Sequence, residues 1–567
     1  MRGNQQTAGT IARLCAACAF SALTLAWSPA RADETTNALL DILKAKGAIS
    51  QSEYDTIKAR QQAEAKDSAQ KLQTAETKAR DAEAKAREAE AKARQAEAKA
   101  QSDSAASAAE IAKTKAQTLT AADMPVPSKM PAKSPVEYVT VLPNCVGIRV
   151  GEVDICTKGD ISFFAVEDSP ARNPQTINGG LTTAGQHDSN AIRGGLLPSS
   201  LQLSLATHQL GMDIGVYFGM YIGGNNIAVG TGGNPLNANG PGGPFSLGTA
   251  GVDFRQVFGT IGTPTLGTFK VGRDIGIFAS DAILNDLTLF GVGSPGNNVA
   301  PHNTSLGRIG VGYIYADFIP QITYKSPTVN GFFFQVAAMT PYDEIAAFGD
   351  PSSGFMTGHD LPMGQAKVSY VGTWSPDVKL TLSSSGVVQK QETDCLNGST
   401  CFVGGPTSST QTTAWAVDGF AMLDIYGWNF VAYGYTGKGV GTTGLFFDGV
   451  DIFGDPRKSY GGYLQGSYTF NKLLTVGGSW GASFLNTANA TDAAFVATEC
   501  AAGAPFSANC LVHENQSWIA FARYKLTKWV NLQAEYIDTT ATSQTFGNGV
   551  HNTNRDHTVA VGTTFFW

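Results

Sequence analysis

The feature that most constrains this chain is the spacing of its alternating segments. From residue 141 onward, short runs of period-2 hydrophobicity follow one another to the C-terminus. Ile214, Val216, Phe218, Met220 and Ile222 share one apolar face, as do Phe332, Phe334, Val336 and Ala338. Leu474, Val476, Gly478, Trp480, Ala482 and Phe484 oppose Thr475, Gly477, Ser479, Gly481 and Ser483. Successive side chains of a strand point to opposite faces, so this pattern reads as strand after strand. About sixteen strands are expected, near 155–168, 199–208, 212–223, 252–261, 266–273, 309–326, 331–341, 362–374, 378–391, 410–424, 428–438, 459–470, 473–486, 516–526, 530–541 and 557–567. The connections alternate strictly. Long ones, such as 169–198, 224–251, 274–308 and 487–515, take turns with short ones, such as 262–265, 375–377 and 527–529. A soluble sandwich has no reason to alternate in this way. A barrel threaded through a membrane does, with short turns on one side and long loops on the other.

Composition agrees. Charged residues are 15% of the 567, against ~25% in an average soluble domain, while apolar residues are 43% and glycine numbers 64. The formal net charge of −7 excludes nucleic-acid binding driven by bulk positive charge. The apolar content excludes disorder over most of the length. No run of 18 or more apolar residues occurs, so helical membrane spans are excluded. The mean hydropathy of −0.08 is what results when alternate strand residues face water and lipid.

Residues 1–32 read as a secretory signal: Arg2 and Arg13 precede an apolar run from Leu14 to Trp27, and Ala30-Arg31-Ala32 forms the cleavage site. Cys18 as a lipoprotein cysteine is the weaker reading, since Cys15 stands where leucine is usual. The other six cysteines form sequence-close couples, Cys145/Cys156, Cys395/Cys401 and Cys500/Cys510. In an exported chain these read as disulfides. None has C-x₂-C spacing and only His513 lies near a couple, which argues against metal binding.

Residues 33–116 form a charge-dense helical segment. Ser50 and Glu53 sit at capping-box spacing. A seven-residue repeat follows, with Ala75, Ala82, Ala89 and Ala96 in one core position and Ala79, Ala86, Ala93 and Ala100 in the other. This 4–3 spacing predicts a coiled coil, with a single solvated spacer helix as the alternative. Glu76/Arg80, Glu83/Arg87 and Glu90/Arg94 add i,i+4 support. Residues 117–140, with Pro125, Pro127, Pro131 and Pro135, read as an extended linker.

Three segments of the β-region carry a family resemblance. They are Gly267-Thr-Phe-Lys-Val-Gly-Arg273, Ile322-Thr-Tyr-Lys-Ser-Pro327 followed by Gly331-Phe332, and the terminal Val559-Ala-Val-Gly-Thr-Thr-Phe-Phe-Trp567. Residues 150–567 resemble the Gram-negative general porins, with Asp274 and Trp567 departing from the family's usual Gln and Phe. The helical preface resembles the periplasmic coiled coils of dicarboxylate-type and phosphate-selective porins. The resemblance implies an all-β transmembrane barrel of about 16 antiparallel strands over 141–567, preceded by an α-helical coiled-coil segment. It further implies a homotrimer in the outer membrane with its N-terminal helices in the periplasm, near peptidoglycan. The implied activity is passive diffusion of small hydrophilic solutes and ions through a water-filled channel. It also implies that the third long loop, 274–308, enters the lumen as a constriction. Acidic Asp274, Asp281 and Asp286 would then face basic Arg255, Lys270, Arg273 and Lys325 on the wall. Opposed signs across a narrow channel would set charge preference, with a lean to anions or dicarboxylates.

Enzymatic readings find no support. Gly439-Val-Gly-Thr-Thr-Gly444 matches G-x-G-x-x-G but lies between two strands and opens no helix. No G-x-S-x-G, H-E-x-x-H or nucleophile–base constellation is present, and no cofactor or metal is expected. The competing function class is an exported adhesion or envelope-tethering protein with a β-rich binding domain.

Overall fold

A computed structural model describes part of residues 44–58 and residues 139–567, apart from 143–144, 172–175, 183–186, 226–251, 296–303, 345–351, 355, 394–409, 501–508 and 546–548. The chain divides into two compact units, Met1–Pro131 and Ala132–Trp567. In the first, residues 51–52, 54–56 and 58 are helical, and the Tyr54 amide donates to the Ser50 carbonyl at 3.0 Å. The signal sequence, the heptad repeat and most of the proline linker lie outside the described residues, as do Cys395 and Cys401.

The second unit is a closed barrel of sixteen strands. They are β1 Val153–Pro170, β2 Ser199–Gln209, β3 Met212–Ile222, β4 Val252–Thr263, β5 Gly267–Ile275, β6 Phe318–Lys325, β7 Phe332–Met339 and β8 Met363–Ser375, then β9 Val378–Glu392, β10 Gln411–Ile425, β11 Trp428–Lys438, β12 Lys458–Phe470, β13 Leu474–Asn486, β14 Asn509–Lys525, β15 Val530–Ser543 and β16 Thr553–Phe566. Each pairs antiparallel with the next, and β16 returns to β1 with Asp556 opposite Pro170 and Phe566 opposite Asp160. Closure leaves no open edge, which a lipid environment requires because nothing there can satisfy unpaired backbone groups. Among the described residues no helix is long and apolar enough to cross a membrane.

The short connections are tight hairpins. Leu210-Gly211 and Tyr426-Gly427 both have positive φ at the two central positions, as the turn type that matches strand twist demands. At the same end of the barrel a short strand, Val146–Val150, pairs with the first residues of β1. A disulfide joins Cys145 to Cys156 across this hairpin. It continues the seam where β16 stops. There the Trp567 ring lies so close to Gly159 that a Cβ at 159 would fall 2.2 Å from it.

The outward faces are apolar, and the inward faces are polar or small apart from a patch that includes Val387, Phe420, Val431, Tyr433 and Tyr463. Trp374, Trp428 and Trp529 stand exposed at the short-turn ends, in girdle positions. Trp480 and Trp518 are instead cross-strand partners in the middle of β13 and β14. Sequence position along a strand pattern does not reveal where the bilayer boundary falls.

The third long connection is longer than expected. Ile309–Asp317 reads as strand by alternation, yet β6 begins only at Phe318, so the connection covers 276–317. Ile309, Val311, Tyr313, Ile314 and Ala316 are all almost fully buried. A strand in the wall buries one face. This segment is enclosed on every side because it lies inside the barrel. Its apparent period comes from Gly310 and Gly312, which adopt φ of 79° and 124°, where a Cβ would be strained.

Candidate functional site

The main hydrophobic core of the barrel unit lies in the lumen. Phe278, Ile283, Ile309, Tyr313 and Ile314 of the third connection pack on inward-facing Val387, Phe420, Val431, Tyr433 and Tyr463 of the wall. Val440, Leu445 and Phe446 from the sixth connection (439–457) join the same cluster. The Tyr315 amide donates to the Thr443 carbonyl at 2.8 Å. The G-x-G-x-x-G match is therefore part of a loop folded into the barrel. The first connection (171–198) closes in from another side: the Ser305 amide donates to the Gly195 carbonyl at 3.0 Å, and Ser294 Oγ donates to the Leu181 carbonyl at 3.1 Å. Gly195 is required by this approach, because a Cβ there would lie 2.1 Å from the Gly291 carbonyl oxygen.

The third connection carries a short helix, α1 Ser280–Leu284, and a 3-10 turn at Leu287–Phe290. Such a loop brings many backbone N–H and C=O groups into the interior, and each must find a partner. The wall supplies them from β8 to β15. Gln365 Oε1 accepts from the Ile277 and Phe278 amides at 2.7 and 2.8 Å. Asp418 Oδ2 accepts from the Ala279 amide at 3.0 Å. Tyr463 OH donates to the Ala282 carbonyl at 2.8 Å. Gln465 accepts from the Leu287 amide at 2.9 Å and donates to the Asn285 carbonyl at 3.0 Å. Ser483 Oγ accepts from the Gly312 amide at 2.9 Å. Glu535 Oε2 accepts from the Val292 and Gly293 amides at 2.8 and 3.0 Å. In return, Arg308 of the loop, wholly buried, donates through Nε to Ser479 Oγ at 2.8 Å. The loop is thus hung along a rail of polar side chains contributed by half of the barrel.

The opposite wall, β1 to β6, is organised differently. Its inward side chains bond to one another. Tyr217 and Phe258 stack at 5.1 Å between Lys158 and Lys270, whose Nζ atoms lie 5.6 and 5.5 Å from the nearer ring. Lys270 forms an ion pair with Asp274, which also accepts from Gln256 Nε2 at 2.8 Å. Arg255 Nε donates to Asp253 at 2.9 Å, and its guanidinium lies 5.3 Å from the Tyr221 ring. Asp160 accepts from Ser200 Oγ at 2.5 Å.

These positions redraw the expected constriction. Asp274 belongs to β5 and not to the loop. Asp281 is on α1, but turns to the loop-bearing wall, where Lys367 Nζ reaches it at 3.0 Å and Ser383 Oγ at 2.5 Å. Asp286 is buried inside the loop, accepting from the Thr288 amide and from Tyr313 OH at 2.9 and 2.8 Å. Arg255 and Lys270 are on the lumenal face. Arg273 is on the other face of β5, opposite Val257 and Pro320, because alternation places it against Lys270 and Asp274. Lys325 closes β6 at the short-turn end, 4.6 Å from the Phe333 ring. Acidic loop and basic wall therefore do not oppose each other as two rows; most of these charges are matched locally.

The structure also differs at Cys500 and Cys510. Both are buried in one cluster, but they are not joined to each other: Cys510 Sγ lies 4.0 Å from the Cys500 carbonyl oxygen. Cys500 is the C-cap of a second helix, α2 Ala490–Glu499, and Cys510 begins β14. Among the described residues no cluster of His, Cys, Asp and Glu suited to a metal ion occurs. The residues that hold the loop, Gln365, Asp418, Gln465, Glu535 and Arg308, carry no local signal beyond being polar at inward strand positions or, for Arg308, in the loop.

No protein-family model matches the chain, and no curated protein matches it by sequence. Solved structures do. The outer membrane channel DcaP of Acinetobacter baumannii is similar over 73% of this chain and 97% of its own, at 15% identity and a TM-score of 0.50. An anion-selective porin from Comamonas acidovorans is similar over 73% of this chain and all of its own, at 12% identity and a TM-score of 0.44. Salmonella typhi OmpF in complex with daunomycin is similar over 73% of this chain and 98% of its own, at 12% identity and a TM-score of 0.41. The closed sixteen-stranded antiparallel barrel thus shares its fold with the outer membrane channel DcaP.

Proposed function

We propose that the protein is an outer-membrane porin: a channel for passive diffusion of small hydrophilic solutes and ions. The observation that carries this reading is the lumen itself. A sixteen-strand barrel is wide enough to enclose water. Here the third loop narrows it, its hydrogen bonds running to β8–β15 while Val292 packs on Phe164 and Val166 of β1, and the remaining polar face of β1–β6 is the wall along which solutes pass. The barrel fold, the apolar outer face and the tryptophans at the short-turn ends support placement in the outer membrane of a Gram-negative bacterium, with short turns and the N-terminal helices periplasmic. A homotrimer with a coiled-coil preface near peptidoglycan belongs to the same proposal.

Charge preference follows from pairing. Arg255 and Lys270 each face a carboxylate, while among the described residues Lys158 and Lys325 of that wall make no ion pair. The bias is a weak lean to anions. Planar-bilayer recording of the folded protein tests the reading: stepwise conductance is expected, with a small reversal potential of anion-selective sign in a salt gradient. Absence of channels would overturn the porin function, and cation selectivity would overturn the lean.

A further inference from the structure

The outward face of the loop-bearing wall carries an arrangement that the channel does not use. Lys438 closes β11 and Lys458 opens β12, and they are direct register partners at the long-loop end. Both are exposed, and among the described residues neither makes an ion pair. Lys458 Nζ lies 5.7 Å from the Tyr460 ring centre, and Trp415 is the next residue in the same cross-strand row. Like charges directly opposed across two strands repel. The pair is therefore poised for an anion lying between them.

Directly below, toward the short turns, the same face is hollow. Tyr460 and Phe484 stack at 5.0 Å and form an upper lip. Under it lies a cavity of about 220 Å³ bounded by Gly462, Ala482, Leu464 and Trp480. Leu464 and Trp480 are shared with a second cavity of about 660 Å³, floored in part by Gly466 and Gly478. Glycines at these outward positions leave room where neighbouring strands carry bulky side chains. A charged head above a long apolar trough, on a surface that faces the bilayer, has the chemistry of a lipid.

We propose that this face is a binding site for a phosphate-bearing lipid of the outer leaflet, its phosphate held between Lys438 and Lys458 and an acyl chain laid in the trough. This rests on the reading that the barrel spans the outer membrane with its long loops outside. Native mass spectrometry of the folded full-length protein, titrated with diphosphoryl lipid A, tests it. Wild type is expected to retain the lipid, and excess inorganic phosphate is not expected to displace it. Lys438→Gln/Lys458→Gln is expected to bind at least ten-fold more weakly. Gly466→Leu fills the trough, with room for its Cβ because only the Phe430 ring lies near, at 3.5 Å; it is expected to weaken binding with both lysines intact. A control at the short-turn end, Lys472→Gln/Lys528→Gln, is expected to bind as wild type. Unchanged retention by the upper lysine variant, or equal loss in the control, overturns the proposal. Loss of oligomers in the upper lysine variant with lipid retention unchanged would assign the face to a second copy of the chain and overturn it as well. Channel recordings from the same preparation separate the two readings: a missing channel refutes the porin function, while the lipid titration is read on its own.

Discussion

The two halves of the barrel wall use similar polar residues for opposite purposes. From β8 to β15, Gln365, Asp418, Gln465 and Glu535 spend their hydrogen bonds on the backbone of the inserted loop. From β1 to β6, Asp253, Arg255, Lys270 and Asp274 spend theirs on one another, and Lys270 is the most exposed of the four. A loop brought indoors must have its peptide groups satisfied, since each unpaired buried group costs about 1–3 kcal/mol. A wall facing water has no such demand and can keep its charges for solutes. The position of the loop, and not the composition of the strands, divides support from passage.

Breaking the support should have the largest effect. Glu535→Ala removes the acceptor for two buried amides, at an expected cost of about 2–6 kcal/mol for the pair of lost bonds. Combined with Gln465→Ala it should free the loop, with single-channel conductance at least doubled and current noise increased. Unchanged conductance would show that the rail does not set the bore. Next, Lys270→Ala should leave Asp274 uncompensated on the passage wall and shift the reversal potential toward cations. Lys158→Ala, the same loss of one positive charge, should move it the same way by a comparable amount. Both are read in the same salt gradient. Removing Lys270 and Asp274 together should move it least, because the pair is already neutral; a large shift would refute local pairing.

The rim above the supporting wall offers a pH test. Burial pushes the Glu344 carboxyl, in the connection after β7, well above the usual carboxylate range. Its Oε1 accepts from the Val450 amide at 3.0 Å and its Oε2 from Gln391 Nε2 at 3.4 Å, tying the fourth and sixth connections together. A carboxyl raised in the folded state holds its proton there while the unfolded chain has lost it. Stability is therefore highest below the ordinary carboxylate range and falls as pH rises from it toward the raised value. Limited proteolysis of these loops should accelerate over that window in wild type. Glu344→Gln should flatten the dependence, and an unchanged slope would contradict the assignment. Beside it, Arg457 forms a fully buried ion pair with Asp492 of α2, at 2.7 Å. Arg457→Met should strand that carboxylate and open the loops to protease while the barrel stays intact.

Much of this architecture is legible in the sequence, and the limits are physical. Period-2 patterning in β3, β7 and β13 shows strands because each buries one face and exposes the other. The alternation of long and short connections points to an up-and-down barrel, because each hairpin returns the chain to the same end. Ile309–Asp317 deceives the same logic: enclosed on all sides, it has no exposed face to betray its place. Asp281 and Asp286 are in the inserted loop, as their numbers suggest, yet their partners Lys367 and Tyr313 could not be read from spacing. Arg273 follows Lys270 by an odd number of residues, and that parity, visible in the sequence, already excludes it from the lumenal row.

The sequence by itself determined that this chain closes into a sixteen-strand barrel, because strand period and loop length are local properties that repeat along the chain. Only the tertiary structure decided which half of the wall carries the loop and which half pairs its polar side chains with one another. Those choices rest on contacts between the loop backbone and side chains 87 to 243 residues away, such as Gln365 on Phe278 and Glu535 on Val292. A glutamine on a strand looks the same in sequence whether it meets water or a peptide group folded in from the far side of the chain.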